Sequence, residues 1–416
     1  MSRNTKVNVR YRVFAIILFV LFYGFALRTV KAADTTTNFN YPDVNTGTTE
    51  FEFYEGPSQT DKLEKIIGGK IKNVIFLIGD GMGMGQVTTA RVATVGLDNM
   101  LWMEKMPATG ITYTHSANAA VTDSAAAGTA LATGLKTNNG MICTSPDKSK
   151  KYQTILNCCK NKGMATGLVV TSRITHATPA CFASHVESRG MEAEIAEQLL
   201  TNKVNVLLGG GKDFFLPKSI EGSKRTDDLN LIEQAKKDGY NCIETSEELT
   251  SAKGPYLLGL FQMAALKTTG PEPSLVKMTK KAIEILSKNK KGFFMMVEGS
   301  QIDWACHGNN INNSIRQTLL FDEAVKAAID FAISDKHTLV IVTADHETGG
   351  LVLNGINSKT REMTVHWSTK GHSGLPVPIY AYGPGDGAFA GVYDNTEVSR
   401  KIAALLKIRN FPSARK

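Results

Sequence analysis

The stretch that decides the fold is Thr338-Leu339-Val340-Ile341-Val342-Thr343, which Ala344-Asp345-His346-Glu347 follows directly. A continuous run of β-branched and apolar residues is typical of a strand that is buried on both faces of a parallel sheet. Metal-ligating side chains come immediately after it, at the carboxyl end of the strand, where open α/β sheets carry their functional residues. The stretch therefore predicts a central strand that ends in a functional site.

The rest of the chain repeats this pattern. Further apolar runs of the same kind occupy residues 74–78, 166–170, 204–208 and 293–297. Apolar residues at helical spacing lie between them, in residues 192–200, 274–286, 315–333 and 396–405. Strands that alternate with helices predict an α/β fold, a three-layer α/β/α sandwich with a largely parallel central sheet. We expect the less regular segment 209–273 to form loops and small helices over the end of the sheet.

The N-terminus has the layout of a secretory signal. A basic leader precedes an apolar run over residues 13–27, and Val30-Lys31-Ala32 then offers small or apolar side chains at the positions that a signal peptidase reads. We therefore predict a signal peptide over residues 1–32, a polar lead-in over 33–70 and a catalytic domain over 71–416. An uncleaved membrane anchor is the alternative. The signal predicts export to the periplasm or the medium, without stable membrane insertion after cleavage.

Charge and cysteine content exclude other classes. The formal charge of the chain is +8, but residues 1–32 carry six basic residues and no acidic one, so the remainder carries only +2. This balance argues against a specific nucleic-acid partner. The chain has six cysteines and no CxxC motif, which excludes a zinc ribbon and a thioredoxin-like site. Several of the cysteines are expected to be small buried residues.

Potential metal ligands follow four of the predicted strands. Asp80 follows the first run within Gly79-Asp80-Gly81, His176 and Thr178 follow the second, Glu298 follows the run at 293–297, and Asp345 opens the stretch quoted above. A single aspartate between glycines is usually a turn residue. Ligands at four strand ends indicate a metal site.

A second set of ligands lies outside the strand ends. Asp303 and His307 are four residues apart and would share one face of a helix, either as ligands of one metal or as a surface ion pair. Zinc needs three or four nitrogen or oxygen ligands. His372, within Gly371-His372-Ser373-Gly374, is a candidate for the third.

A candidate nucleophile lies within Thr122-Asp123-Ser124-Ala125, ahead of an alanine-rich stretch. On this segment alone, Ser124 is as well explained as a helix N-cap. The functional interpretation uses the same geometry, because the N-terminus of a helix attracts phosphate and metal coordination would activate the hydroxyl.

Taken together, these motifs closely resemble the alkaline phosphatase family, and most closely its compact bacterial members from cold-adapted marine and Antarctic bacteria. The resemblance covers about residues 72–405. The matching stretches, in the order of the family, are Leu77–Gly81, Val121–Ala125, Ile174–Ala180, Glu298–Trp304, Thr343–Gly350 and Gly371–Ser373.

The resemblance implies a role for each residue. Asp303, His307 and His372 would hold a first zinc. Asp80, Asp345 and His346 would hold a second zinc, with Ser124 beside it as the nucleophile. Asp80 would also contact a magnesium held by Glu298 and Thr178, with His176 in or near that third site, where cobalt is the alternative metal. Arg189 would clamp the phosphate oxygens, and Asp123 would orient Arg189.

The implied function is the hydrolysis of small phosphate monoesters through a phosphoserine intermediate, by a homodimer. Two alternatives remain at this point. One is a phosphodiesterase or sulfatase of the same superfamily, although the sulfatase CxPxR-type and SxPxR-type motifs are missing around Ser124. The other is a catalytically inactive protein that binds phosphate or metal.

Overall fold

The computed structural model describes residues 43–45, 51, 53–66, 69–357 and 362–415, and residues 43–416 belong to one compact unit. The strands are Asp43–Asn45 (β1), Asn73–Gly79 (β2), Ala108–Tyr113 (β3), Lys151–Tyr152 (β4), Ala165–Arg173 (β5), Val206–Gly210 (β6), Asn241–Ile243 (β7), Leu257–Leu260 (β8), Phe293–Gly299 (β9), Thr338–Thr343 (β10), Glu347–Thr348 (β11), Leu351–Ile356 (β12), Met363–Trp367 (β13), His372–Ser373 (β14), Val377–Tyr382 (β15), Gly391–Asp394 (β16) and Ala414–Arg415 (β17).

The α-helices in the same part of the chain are Met84–Thr94 (α1), Ser124–Thr133 (α2), Ile155–Asn161 (α3), Ala177–Ala183 (α4), Glu192–Thr201 (α5), Leu231–Lys237 (α6), Ser246–Ser251 (α7), Leu275–Leu286 (α8), Gln301–His307 (α9), Ile311–Asp335 (α10) and Thr396–Leu405 (α11). Short 3-10 helices cover Met103–Lys105, Lys212–Phe214 and Asp386–Phe389.

A ten-stranded sheet in the order β16-β3-β15-β10-β2-β9-β5-β6-β8-β7 forms the centre of the described structure. Strand β15 pairs antiparallel with both of its neighbours, and every other pairing in this sheet is parallel. All the strands except β15 therefore point the same way. The strands β10, β2, β9 and β5 are consecutive, so their carboxyl ends meet at the middle of one edge.

Two layers of helices bury the two faces of the sheet. Helices α1, α8 and α10 pack in one core with alternate strand residues such as Ile75 and Leu77. Helices α2 to α6 and α11 pack in the other core, against Val74, Phe76 and Ile78. Successive residues of β2 are thus buried on opposite faces, as a continuous apolar run requires. The predicted three-layer sandwich with a largely parallel sheet is confirmed.

The segment 209–273 differs from the expectation of loops and small helices. It includes the short helices α6 and α7, but it also supplies β7 and β8, which extend the sheet in parallel beyond β6. Strands of three and four residues are too short to give a clear periodicity, which explains why the sequence did not reveal them.

The polar lead-in contributes to the core where it is described. Phe51 and Tyr54 are buried, and the hydroxyl of Tyr54 donates a 2.5 Å hydrogen bond to Asp322 in α10. The backbone N–H groups of Trp102 and Met103 donate to the same carboxylate. The signal peptide over residues 1–32 lies outside the described residues, and the three domain boundaries stay predictions. Across the described ranges, no helix is long and apolar enough to cross a membrane.

The buried Asp322 carboxylate predicts a pH dependence of stability. Burial raises the pKa of Asp322 to about 6, against about 3.9 in an unfolded chain. The folded state keeps a proton that the unfolded state releases, so the contribution of Asp322 is greatest below pH 4 and is lost as the pH rises through 6. As the pH rises from 4 to 7, the free energy of unfolding of the Asp322→Asn variant should therefore increase by about 3 kcal/mol relative to that of the wild type. Urea unfolding in EDTA measures the difference; a gap that does not change with pH would contradict the raised pKa.

Candidate metal centre

The carboxyl ends of the four central strands bring most of the predicted ligands together, and His346 takes the place of His307 in the first group. Three groups of side chains each place their ligand atoms within 4.8 Å of one another. The groups are Asp303 with His346 and His372, Asp80 with Asp345 and His346, and Asp80 with His176 and Glu298. Because Asp80 and His346 each belong to two groups, the three sites form one continuous centre.

Asp303 lies between two imidazole rings at one end of the centre. Its Oδ2 is 3.3 Å from Nε2 of His307, and its Oδ1 is 3.5 Å from Nε2 of His372. Asp303 and His307 share one face of helix α9, as predicted from their spacing. His372 reaches them from β14, which pairs with β11 directly after the Asp345–His346 segment.

The second group surrounds His346. Its Nε2 is 3.5 Å from Asp80 Oδ1, 3.3 Å from Asp345 Oδ2 and 3.3 Å from the hydroxyl oxygen of Ser124. Asp345 is fixed by the backbone N–H groups of Gly81 and His346, which both donate to its Oδ1. The other oxygen, Oδ2, is buried and has no hydrogen-bond partner among the described residues, so it is available to a cation.

The third group is mainly oxygen. Glu298 accepts hydrogen bonds from Ser300 and Ser172 through Oε2, while its Oε1 is buried and accepts none within the described part of the chain. The hydroxyl of Thr178 and Nδ1 of His176 are also buried, and the residues described around them offer no hydrogen-bond partner. Such a donor set suits a hard cation of the magnesium type.

The histidines that surround Asp303 and Asp345 are oriented in the same way. In each ring, Nδ1 contacts an oxygen: the backbone carbonyl of Lys370 for His307, that of Thr122 for His372, and the hydroxyl of Thr348 for His346. Assigning the proton to Nδ1 leaves the lone pair of Nε2 facing the carboxylates. Metal-binding histidines are held in this manner by their other ring nitrogen.

The electrostatics of the centre favour bound cations. Burial raises the pKa of Asp80 well above its usual value, and the negative charges of Asp345, Asp303 and Glu298 add to this. Burial also raises the pKa of Glu298 to about 7. Both oxygens of Asp80 are buried, and neither forms a hydrogen bond with a residue that the structure describes. Unpaired buried carboxylates are costly, and bound metal ions are the usual remedy. The residues present therefore fit a metal centre.

Ser124 is the first residue of helix α2, but it is not the N-cap. Asp123 takes that position, and its side chain accepts a 3.0 Å hydrogen bond from the backbone N–H of Ala126. The capping interpretation of Ser124 therefore fails, because the cap is supplied by its neighbour. The hydroxyl of Ser124 instead points to His346 at the metal centre, at the positive end of the helix dipole.

Arg189 approaches the same point from the loop after α4. It donates a 3.1 Å hydrogen bond from Nη1 to Asp123, and its Nη2 is 3.2 Å from Nε2 of His176. Asp123 also accepts from the backbone N–H of Gly140, which fixes the carboxylate that holds the arginine. Burial, together with the charges of Arg189 and Arg173, lowers the pKa of His176 to about 3, so its imidazole is neutral.

Several residues that support this centre are not evident from the sequence. The hydroxyl of Thr348 donates a 2.5 Å hydrogen bond to Asp303 and contacts Nδ1 of His346, so it links two of the groups. Gln86, in α1, donates to the carbonyl of Thr348. Thr348 lies within a motif that was recognised, whereas no pattern in the sequence distinguishes Gln86.

Cys306 lies between Asp303 and His307 in the chain but does not face the metal centre. Its sulfur contacts Gln86 and Ser314 in the core, and burial raises its pKa to about 12. The thiol is therefore a small, neutral core residue, as the sequence analysis expected for several of the cysteines.

An α/β sandwich with linked carboxylate and imidazole groups beside a serine at a helix N-terminus defines a metal-dependent hydrolase. Comparison with known proteins makes this specific: the family model for alkaline phosphatase matches residues 71–365 and 354–408. The chain is 36% identical to alkaline phosphatase 3 of Bacillus subtilis, over 81% of this chain and 89% of that protein. The chain belongs to the alkaline phosphatase family.

Solved structures agree with this assignment. The alkaline phosphatase of the Antarctic bacterium TAB5 superposes with a TM-score of 0.75 at 35% identity, over 82% of this chain and all of that one. A histidine-to-aspartate variant of that enzyme, with magnesium bound in its M3 site, gives a TM-score of 0.73 at 34% identity, over 82% and 99% of the two chains. The resemblance noted in the sequence is confirmed.

The crowding of carboxylates predicts opposite effects of one substitution with and without metal. In EDTA, Asp80→Asn should raise the free energy of unfolding by about 1–3 kcal/mol, because it removes a buried acid from beside three others. With zinc restored, the wild type should become the more stable protein, because it binds the ion more tightly. Thermal unfolding with and without zinc measures both. If Asp80→Asn is less stable than the wild type in EDTA, repulsion between Asp80 and the neighbouring carboxylates does not destabilise the metal-free protein.

Proposed function

We propose that this chain hydrolyses phosphate monoesters to an alcohol and inorganic phosphate, with Ser124 as the nucleophile that is phosphorylated in the first step. The observation that carries the proposal is the position of the Ser124 hydroxyl. It lies 3.3 Å from Nε2 of His346, at a helix N-terminus that Asp123 already caps. The relatives described above are named alkaline phosphatases, which supports this reaction.

Substrate binding rests on Arg189 and the helix terminus. The guanidinium of Arg189 is held by Asp123 and is only partly exposed, so one edge of its fork can face the cleft. A planar guanidinium binds two phosphate oxygens at once. The first N–H groups of α2 and its dipole favour the same negative charge. Together these groups would place the phosphorus atom in line with the hydroxyl of Ser124.

The chemistry proceeds as two displacements. The oxygen of Ser124 attacks phosphorus and the alcohol leaves, and water then attacks the phosphoserine and releases phosphate. Metal ions, when bound, would stabilise charge on the attacking and leaving oxygens and lower the pKa of hydroxyl and water ligands. Arg189 stays hydrogen-bonded to the non-reacting phosphate oxygens through both steps, since positioning and charge stabilisation dominate phosphoryl transfer.

We assign the metals from the donor sets. Asp303, His307 and His372 would hold one zinc, and Asp80, Asp345 and His346 a second, because their nitrogen and oxygen donors suit that ion. Asp80, Glu298 and Thr178, with His176 beside them, would hold magnesium. A histidine-to-aspartate variant of the Antarctic enzyme binds magnesium in its M3 site, so magnesium is the first candidate for the third group, and cobalt is the alternative. Metal analysis of the purified protein tests the ratio of two zinc to one magnesium.

Hydrolysis of p-nitrophenyl phosphate and bis-p-nitrophenyl phosphate tests the reaction. We expect turnover of the monoester to exceed that of the diester, to stop in EDTA and to return with zinc and magnesium. Ser124→Ala should lower kcat about 10⁴-fold or more while it keeps its metals, because only the nucleophile is lost. A preference for the diester would move the enzyme to the phosphodiesterase alternative. Full activity of Ser124→Ala would refute the nucleophile.

We infer that the enzyme is exported after removal of residues 1–32. The basic leader, the apolar run and the small residues that follow it in the sequence support this. Mass spectrometry of the protein recovered from the periplasm or medium should give an N-terminus close to Ala33. An intact N-terminus in the membrane fraction would favour the anchor alternative.

We further propose that the enzyme is a homodimer. Support comes from exposed apolar side chains at one edge of the central sheet, where Val392 of the edge strand β16 pairs with Ile111 and Tyr113 is also exposed. A second copy of the chain would cover this surface. Light scattering should give the mass of a dimer for the wild type and of a monomer for Val392→Glu. A monomeric wild type would refute the proposal.

A further inference from the structure

Glu347 is a buried carboxylate that none of the proposed steps uses. It directly follows the ligand His346, and only 2% of its surface is exposed. Among the residues that the structure describes, it forms no ion pair with a lysine, arginine or histidine. A carboxylate buried without a cation is expensive unless hydrogen bonds satisfy it.

Four neutral donors satisfy this carboxylate. Its Oε1 accepts from Nε2 of Gln86 at 3.1 Å and from the backbone N–H of Leu351 at 3.2 Å. Its Oε2 accepts from the backbone N–H of Gly350 at 3.1 Å and from the hydroxyl of Ser373. Hydrogen bonds to a charged acceptor are about twice as strong as those between neutral groups. The side chain of Glu347 therefore links the segments of the chain that supply these four donors.

These elements carry the proposed metal ligands. Ser373 follows His372, and the backbone of β11 at Glu347 and Thr348 pairs with β14 at Ser373 and His372. Glu347 itself follows His346. The hydrogen bond of its side chain to Ser373 thus reinforces the backbone pairing of β11 with β14. This pairing sets the distance between the imidazoles of His346 and His372, whose ring centroids are 3.6 Å apart.

Gln86 extends the junction to the segment that carries Asp80. Its Oε1 accepts from the backbone N–H of Gly83 at 3.0 Å, while its Nε2 donates to Glu347 and to the carbonyl of Thr348. Space for the carboxylate depends on Gly83, because a Cβ atom there would lie 2.3 Å from Cγ of Glu347. The loop after β2 is therefore fitted around this side chain.

We propose that Glu347 is a positioning residue: it fixes the segments that carry Asp80, His346 and His372 relative to one another, and so sets the affinity of the centre for zinc. The inference rests on the metal ligands assigned under the proposed function. Glu347 contacts neither substrate nor metal in this role, so its loss changes metal binding through the ligands.

The test is the zinc affinity of Glu347→Gln, measured by competition with a chromophoric chelator. Glutamine keeps the size of the side chain but turns an NH₂ group towards two donors. We expect zinc affinity to fall about 10- to 100-fold, the usual loss when a residue that orients metal ligands is replaced. The visible spectrum of the cobalt-loaded protein should change as well, because the ligand geometry changes.

Asp322→Asn is the matched control. Asp322 is also a buried carboxylate that accepts its hydrogen bonds from neutral groups, but these belong to Tyr54, Trp102 and Met103, none of which is a proposed ligand. This variant should alter stability and keep the zinc affinity and cobalt spectrum of the wild type. Ser373→Ala, which removes one donor and leaves the charge, should also lower zinc affinity, but by less than Glu347→Gln does. If Glu347→Gln does not fold, the zinc affinity of Ser373→Ala tests the positioning role of Glu347 in its place.

The outcomes separate this inference from the proposed function. If the wild type binds no zinc, the metal assignment is wrong and the positioning role falls with it. If the wild type binds zinc and both Glu347→Gln and Ser373→Ala keep its affinity and cobalt spectrum, the positioning role alone is overturned. In that case Glu347 would act on stability only, as Asp322 does.

Discussion

The structure depends on one electrostatic constraint: four carboxylates, those of Asp80, Glu298, Asp303 and Asp345, are buried together where the central strands end. Hydrogen bonds among the residues that the structure describes do not satisfy them all, since oxygens of Asp80, Glu298 and Asp345 have no partner there. The free energy that the apolar core supplies must hold this arrangement until cations neutralise it. Folding and metal binding are therefore coupled in this protein.

The sheet makes this arrangement possible. Strands β10, β2, β9 and β5 are adjacent and parallel, and their residues are buried on both faces. The backbone at their ends is thus fixed by two apolar layers before any ligand is considered. A site built on such strand ends is held to a fraction of an ångström, which phosphoryl transfer needs because it depends on positioning. The less regular strands β7 and β8 lie at the far edge, away from the site.

The strand ends were also what the sequence predicted best. Continuous apolar runs identified the central strands, and Asp80, Glu298 and Asp345 followed from their place after those runs. Asp303 and His307 followed from helical spacing. The nucleophile role of Ser124 was predicted from the resemblance and not from its local pattern, because a serine before an alanine-rich stretch is equally typical of an N-cap; the structure shows that Asp123 is the cap. Gln86 and Thr348 act through tertiary hydrogen bonds, which no local pattern reveals. Gln86 bonds to a residue about 260 positions away in the chain, and Thr348 to Asp303, 45 positions away.

The same constraint explains why polar groups around the ligands are so fully paired. A ligand side chain that could rotate would move away from the neighbouring carboxylates and out of reach of the cation. The fold must therefore restrict its rotation. Carbonyls hold His307 and His372, the hydroxyl of Thr348 holds His346, and the donors around Glu347 join the segments behind them. Each contact fixes the orientation of a ligand before metal arrives, which lowers the entropy lost on binding. Under the proposed assignment, the affinity for metal depends on these neutral contacts as well as on the charges they support.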